Sequence, residues 1–203
     1  MQLGASNYLK KPAEIYELNQ IVEKYKRLSQ KQFSTNNYYY TVTEKKVEFS
    51  INNDLFGVPY IVDLIMFEIG DNISNSDKNG IQLGINELIV NAIEHGNLEI
   101  SRLEKHQALE KNSYEKLYDE RMSNSKLANR KVIIKLLLTK NKLSVEIEDE
   151  GNCFDWSNVP STLNADNKEK FNGKGIFLSK YYFDSITYIG NGNKVRAESY
   201  ITQ

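Results

Sequence analysis

Cysteine is nearly missing from this 203-residue chain, Cys153 being the only one. An internal disulfide framework is excluded, and the usage fits a reducing compartment, so a cytoplasmic location is expected. A charge excess is missing too: 26 Lys and Arg stand against 27 Asp and Glu, a net charge of −1. With Lys and Glu interspersed, that balance leaves no electrostatic footprint for direct nucleic-acid binding. No apolar run approaches the roughly 18 residues of a membrane helix, and the N-terminus lacks the apolar core of a signal peptide, so no membrane association is expected. Proline is scarce, at three; with abundant Asn and Lys this speaks of genomic base composition more than of chemistry. What is present is 40% hydrophobic residues, enough for one or two domains with a substantial core.

Residues 13–28 carry Ile15, Leu18, Val22, Tyr25 and Leu28 three or four apart, and Pro12 with Ala13 opens a helix there. The polar, aperiodic "SQKQFSTNNYYY" (29–40) begins a linker over 29–44. "KKVEFSI" (45–51) alternates as a strand, and "NND" precedes a helix over 55–70. "NSD" (75–77) then offers caps for a long helix. Residues 98–130 are the most charged part and read as surface helix. "KVIIKLLLTK" and "LSVEIEDEG" form a hairpin about an Asn141–Lys142 turn, and two strands over 185–190 and 194–201 join through "GNGN". The order predicts an α+β fold, a two-layer sandwich with helices on one face of a mixed, mostly antiparallel sheet, plus an N-terminal helix.

Three stretches carry side chains suited to chemistry. In "NELIVNAIEHGN" (86–97), Glu87, Asn91 and His95 recur every four residues beside the apolar stripe Ile81, Ile85, Leu88, Ile89, Ala92. Asn91 is a neutral oxygen ligand suited to Mg2+. Glu87 is placed to take a proton, and His95 to donate to a phosphate oxygen. In "EDEGNCF", Asp149 at a strand end can accept from a ligand amino group, while Gly151 lets a planar ring approach the backbone. "GKGI" bares backbone N–H groups at a helix start, and with Lys174 suits phosphate. Each stretch has a plainer reading: a solvated helix rim, an acidic turn, a glycine-rich cap.

The ordered set resembles the Bergerat-fold (GHKL) ATPases, the superfamily of gyrase, mismatch-repair ATPases, heat-shock chaperones and sensor histidine kinases. Glu87-x-x-x-Asn91 is similar to the N box, Asp149-x-Gly151 to the first glycine box, and Gly173-x-Gly175 to the second. "NELIVNAIEHGN", "DEGNCFDWSNVP" and "GKGIFLSKYYFD" look most like the anti-sigma-factor serine/threonine kinase branch, and the likeness runs over about 45–201. The resemblance implies an ATPase domain over 45–203 with ATP and Mg2+ as cofactors. It implies Mg2+ on Asn91, adenine on Asp149 beside Gly151, and phosphates on Gly173, Lys174 and Gly175. A lid would lie over 152–172, with Glu87 as the catalytic base that activates a partner's serine or threonine. The implied partner is a protein, an antagonist-like substrate, with a sigma factor as a further candidate; the branch also suggests a homodimer.

Two positions depart from the pattern. Cys153 stands where a further glycine is usual, and Gly192-Asn193 replaces a Gly-Thr pair, with Asn193 able to substitute as a donor. His106, in "LEKHQALEK", lacks the surroundings of a phosphoacceptor histidine and reads as surface; Trp156 reads as an anchor at the lid's base. At the front, 1–28 resembles the end of a response-regulator receiver domain, with Lys11 matching its switch lysine and Lys11–Pro12 a candidate cis bond. The alternative to a kinase is a nucleotide-gated module that grips its partner without transferring phosphate.

Overall fold

The computed structural model describes residues 43–70, 73–152 and 182–201. They belong to the second of two compact units, Val42–Gln203. The receiver-like segment with Lys11, the glycine pair Gly173 and Gly175 with Lys174, and Cys153 and Trp156 lie outside the described residues.

Five strands form one sheet: β1 (Glu44–Ile51), β2 (Val132–Thr139), β3 (Lys142–Glu148), β4 (Ser185–Ile189) and β5 (Lys194–Tyr200), in the order β1-β2-β3-β5-β4. Every pairing among them is antiparallel, so the expected mixed component is not found among the described strands. Thr139 pairs with Lys142, which moves the hairpin turn to Lys140–Asn141, one residue before the expected place. The register builds two unlike faces. On one, Phe49, Ile134, Ile147, Val195 and Tyr188 line up across all five strands, with Val47, Leu136, Val145, Ala197 and Ile186 beside them. On the other, Glu48, Lys135, Glu146 and Arg196 alternate in sign, and Arg196 meets Glu146 at 2.7 Å. Alternation of period two thus turns one face to the helices and the other to water.

The helices share the apolar core with the first face. Asp54 accepts from the N–H of Phe56 in a short 3-10 turn, and α1 (Val58–Ile69) follows with Val58, Val62, Ile65 and Ile69 buried. Ser74 caps α2 (Asn75–Asn91), one residue before the expected caps. Its predicted stripe, Ile81, Ile85, Leu88, Ile89 and Ala92, is buried as the spacing requires. Gly80 and Gly84 let aromatics close on the same helix. A β-carbon on Gly84 would stand 2.7 Å from the ring of buried Phe183.

Residues 98–130 fold as α3 (Arg102–Glu110), α4 (Tyr114–Ser123) and α5 (Ser125–Ala128). Ser101 and Glu104 form a reciprocal capping box at the head of α3. His106 is exposed on α3, 3.3 Å from Glu110, as a surface histidine should be.

Candidate functional site

The long helix does not keep its α-helical step to the end of "NELIVNAIEHGN". From Ala92 to Asn97 it widens into a π-helical turn, with the N–H of Leu98 bonded to the carbonyl of Ile93 at 2.8 Å. This corrects the even four-residue stacking expected of Glu87, Asn91 and His95: Glu87 and Asn91 are one α-helical turn apart, and His95 lies in the widened turn. Wide turns of this kind are held by tertiary contacts and recur at functional sites. The contacts here are specific. Glu94, almost fully buried, receives Lys105 Nζ at 2.5 Å and the hydroxyl of Tyr114, from α3 and the start of α4. The charge is buried but paired and hydrogen-bonded, the condition for tolerating it. Burial and that carboxylate together hold the Tyr114 hydroxyl well above its ordinary range.

A cavity of about 530 Å3 opens between this turn and the ends of β3 and β5. Asn91, His95, Gly96 and Asp149 line it, closed below by Leu88, Ile147 and Val195. Glu87 is half-buried and is not among the residues lining it. Among the described residues the Asn91 amide nitrogen is buried without a hydrogen-bond partner.

His95 Nδ1 stands 2.5 Å from the carbonyl oxygen of Ile100. A carbonyl only accepts, so the proton is on Nδ1. Burial holds the imidazole below its ordinary value, outweighing the opposite pull of the Ile100 carbonyl and of Glu94. The ring is therefore neutral at pH 7, and Nε2 carries a lone pair. That reverses the donor role expected from sequence: His95 offers an acceptor instead.

Asp149 sits where β3 ends. Its N–H reaches the carbonyl of Asn193 at 2.9 Å, and Asn193 Nδ2 donates back to its carbonyl at 3.0 Å. Asn193 is thus a donor, as its chemistry allowed, but to the protein's own strand end. Burial pushes the Asp149 carboxyl up to about 6, against the pull of the Gly151 N–H on Oδ1 at 2.9 Å and of the Arg130 charge. The two glycines of the site touch: a β-carbon on Gly151 would stand 2.2 Å from the Gly96 oxygen, and one on Gly96 would stand 2.3 Å from Asp149 Cγ. A larger residue at Gly151 would move the helix end off the strand end, and one at Gly96 would displace the Asp149 carboxylate.

The structure thus brings together Asn91, His95, Asp149 and Gly151 and leaves Glu87 off the cavity wall. Sequence reasoning missed Gly96, Arg102, Tyr188 and Lys194, which also line it. Gly96 stood beside His95 in the quoted stretch and could have been found by asking which residue lets the helix meet the strand. Arg102 and Tyr188 gave no such signal, being 86 positions apart on an inserted helix and an edge strand. Among the described residues no helix is long and apolar enough to cross a membrane. The family profile described as "Histidine kinase-like ATPase domain" matches residues 70–198, well over half of the chain. A search of curated proteins finds no match.

Proposed function

Since the chain belongs to the histidine kinase-like ATPase domain family, we propose that it binds ATP with Mg2+ and transfers the γ-phosphate to a serine or threonine of a protein partner. The reading is carried by the cavity in which Asn91, His95 and Asp149 meet over the contact of Gly96 with Gly151. Asp149 would accept from the adenine amino group; guanine presents a carbonyl there, so adenine is favoured. The glycine contact keeps side chains out of that corner, which suits a planar ring beside the backbone.

Asn91 would hold Mg2+ through its amide oxygen, since a neutral oxygen suits a cation that keeps several waters and shares phosphate oxygens. Bound there, the ion would neutralise phosphate charge. His95, with its lone pair on Nε2, matches a hydroxyl or a metal-bound water better than a phosphate oxygen. Gly173, Lys174 and Gly175 would gather the phosphates. Phosphoryl transfer depends mostly on positioning and charge stabilisation, so this small set is sufficient in kind. Glu87, one helical turn before Asn91, would take the proton of the acceptor hydroxyl, and the partner would be antagonist-like, with a sigma factor as a further binding candidate.

The position of Glu87 off the cavity wall favours a second reading, a module that grips its partner when ATP is bound and transfers nothing. The test is phosphate transfer from labelled ATP to a candidate partner, by the native chain and by Glu87→Ala, with ATP binding measured in parallel. Transfer lost in the variant while ATP binding survives supports the kinase. No transfer by either, with partner binding dependent on ATP, supports the second reading. Equal transfer by both removes Glu87 from the mechanism.

A further inference from the structure

Two buried asparagines that do not line the cavity, Asn53 and Asn97, meet at one junction. Asn53 and Asn97 have no exposed surface. Asn97 Nδ2 donates to Asn53 Oδ1 at 2.7 Å, and Asn53 Nδ2 donates to the carbonyls of Leu127 at 3.0 Å and Arg130 at 3.1 Å. On its other side, Asn97 Oδ1 accepts the N–H of Glu150 at 2.8 Å, the peptide immediately after Asp149. Arg130 Nη1 donates to the Asn97 carbonyl at 2.7 Å and pairs with Glu99 at 2.8 Å. Glu99, at a left-handed φ of 51°, accepts from Asn152 Nδ2 at 2.7 Å. The exit of the π-helical turn is therefore stitched to the end of β3: Gly96 to Asp149 and Gly151, Asn97 to Glu150, Glu99 to Asn152. Asn97 is the middle stitch and the only fully buried side chain of the three.

We propose that Asn97, which does not line the cavity, is a positioning residue for Asp149. By fixing the Glu150 peptide from behind, it holds the neighbouring carboxylate toward the cavity and so governs which base is accepted. The physical reason is local. Without the Asn97 oxygen the Glu150 N–H has no acceptor on the helix side and turns to water, and a peptide rotation there carries Asp149 with it. Asn53 does not share this role, because its bonds run to Asn97 Nδ2 and to the carbonyls before β2 and none reaches the strand end. A satisfied buried network of this kind specifies one geometry more than it adds stability. The base-selection half of the inference rests on the ATP reading; the positioning half does not.

The test pairs Asn97→Leu with Asn53→Leu in the full chain, titrated with Mg-ATP and Mg-GTP by calorimetry. The Asp149 carboxyl resonance is followed by 13C NMR without nucleotide. Asn97→Leu is expected to lose about tenfold or more in ATP affinity and to erode the preference for ATP over GTP, with the Asp149 resonance displaced. Asn53→Leu is expected to lower the melting temperature while keeping both the preference and the resonance. An unchanged preference and resonance in Asn97→Leu, or equal changes in both variants, overturns the proposal. Should a variant fail to fold, hydrogen exchange on the native chain decides. Protection of the Glu150 amide comparable to that of β3 supports the proposal, and exchange at the rate of an exposed loop overturns it. A native chain that binds neither nucleotide defeats the ATP reading, while the resonance and the exchange still judge the positioning.

Discussion

Asp149→Asn separates what the site costs the fold from what it does for a ligand. The carboxyl rises from the ordinary 3.8 to about 6 chiefly because burial disfavours its charge. A folded-state value above the unfolded one means that the folded chain binds the proton more tightly. Its contribution to stability is full below 3.8 and is lost as pH rises through 6, leaving ionised Asp149 as a burden at neutral pH. The rise corresponds to at most about 3 kcal/mol. Part of the group still meets solvent, so about 1–2 kcal/mol is the expectation, or roughly 3–6 °C of melting temperature for a chain of this size. Asn keeps the shape and can still accept from the Gly151 N–H, but it carries no charge. At pH 7.5 without nucleotide, Asp149→Asn should therefore melt above the native chain, and at pH 4 the gain should vanish. With ATP at 100 times its dissociation constant the native chain should gain about 2.7 kcal/mol and the variant little, so the order reverses. The assay is thermal unfolding at both pH values with and without Mg-ATP. A variant less stable than the native chain at pH 7.5, or one stabilised equally by ATP, would refute the reasoning.

Gly96→Ala puts a methyl group 2.3 Å from Asp149 Cγ. Overpacking costs about 1–3 kcal/mol, and denaturant unfolding should show that loss together with weaker ATP binding in calorimetry. Glu94→Ala leaves Lys105 and the Tyr114 hydroxyl without their buried partner. A loss of about 3–5 kcal/mol is expected by denaturant unfolding, with His95 ring signals disturbed because the widened turn loses its clamp. His95 is neutral and held below its ordinary value by burial, so the folded chain binds its proton less tightly than the unfolded one. Stability should fall as pH drops below 6.5, His95→Gln should flatten that fall, and 15N NMR at pH 7 should show hydrogen on Nδ1 and none on Nε2.

Legibility followed the range of the forces involved. The stripe from Ile81 to Ala92 is a local periodicity set by burial, and the structure buries those residues. Asp149 and Gly151 were legible for the same reason, since a carboxylate and a glycine two residues apart at a strand end form a local pattern. The π-helical turn was not. No spacing within residues 92–97 requires it; its cause is the reach of Lys105 and Tyr114 to Glu94, and of the Ile100 carbonyl to His95. The chemistry of His95 was misjudged on the same account, because its tautomer is decided by a carbonyl five residues on that the chain must turn back to present. Asn97 gave no signal at all, since its partners lie 44 and 53 residues away.

These misses share a source, and it alters how the site is understood. Residues 98–130 fall between the helix that carries Asn91 and the β2–β3 hairpin that leads to Asp149, and by sequence they are a charged surface segment. In the fold they supply Ile100, Ser101 and Arg102 to the cavity wall, the clamp on Glu94, and through Arg130 the tie across Asn97 and Glu99. Asn91 and Asp149 flank this segment in the chain, and its residues Ile100, Ser101 and Arg102 wall the cavity that both line. A shift of α3 or of the start of α4 bears on Glu94, the neighbour of His95, through Lys105 and Tyr114. The glycine contact at Gly96 and Gly151 leaves no slack to absorb such a shift. If the chain binds ATP as proposed, a partner held on residues 98–130 is expected to change nucleotide affinity without touching the nucleotide, and ATP titration with and without that partner checks it.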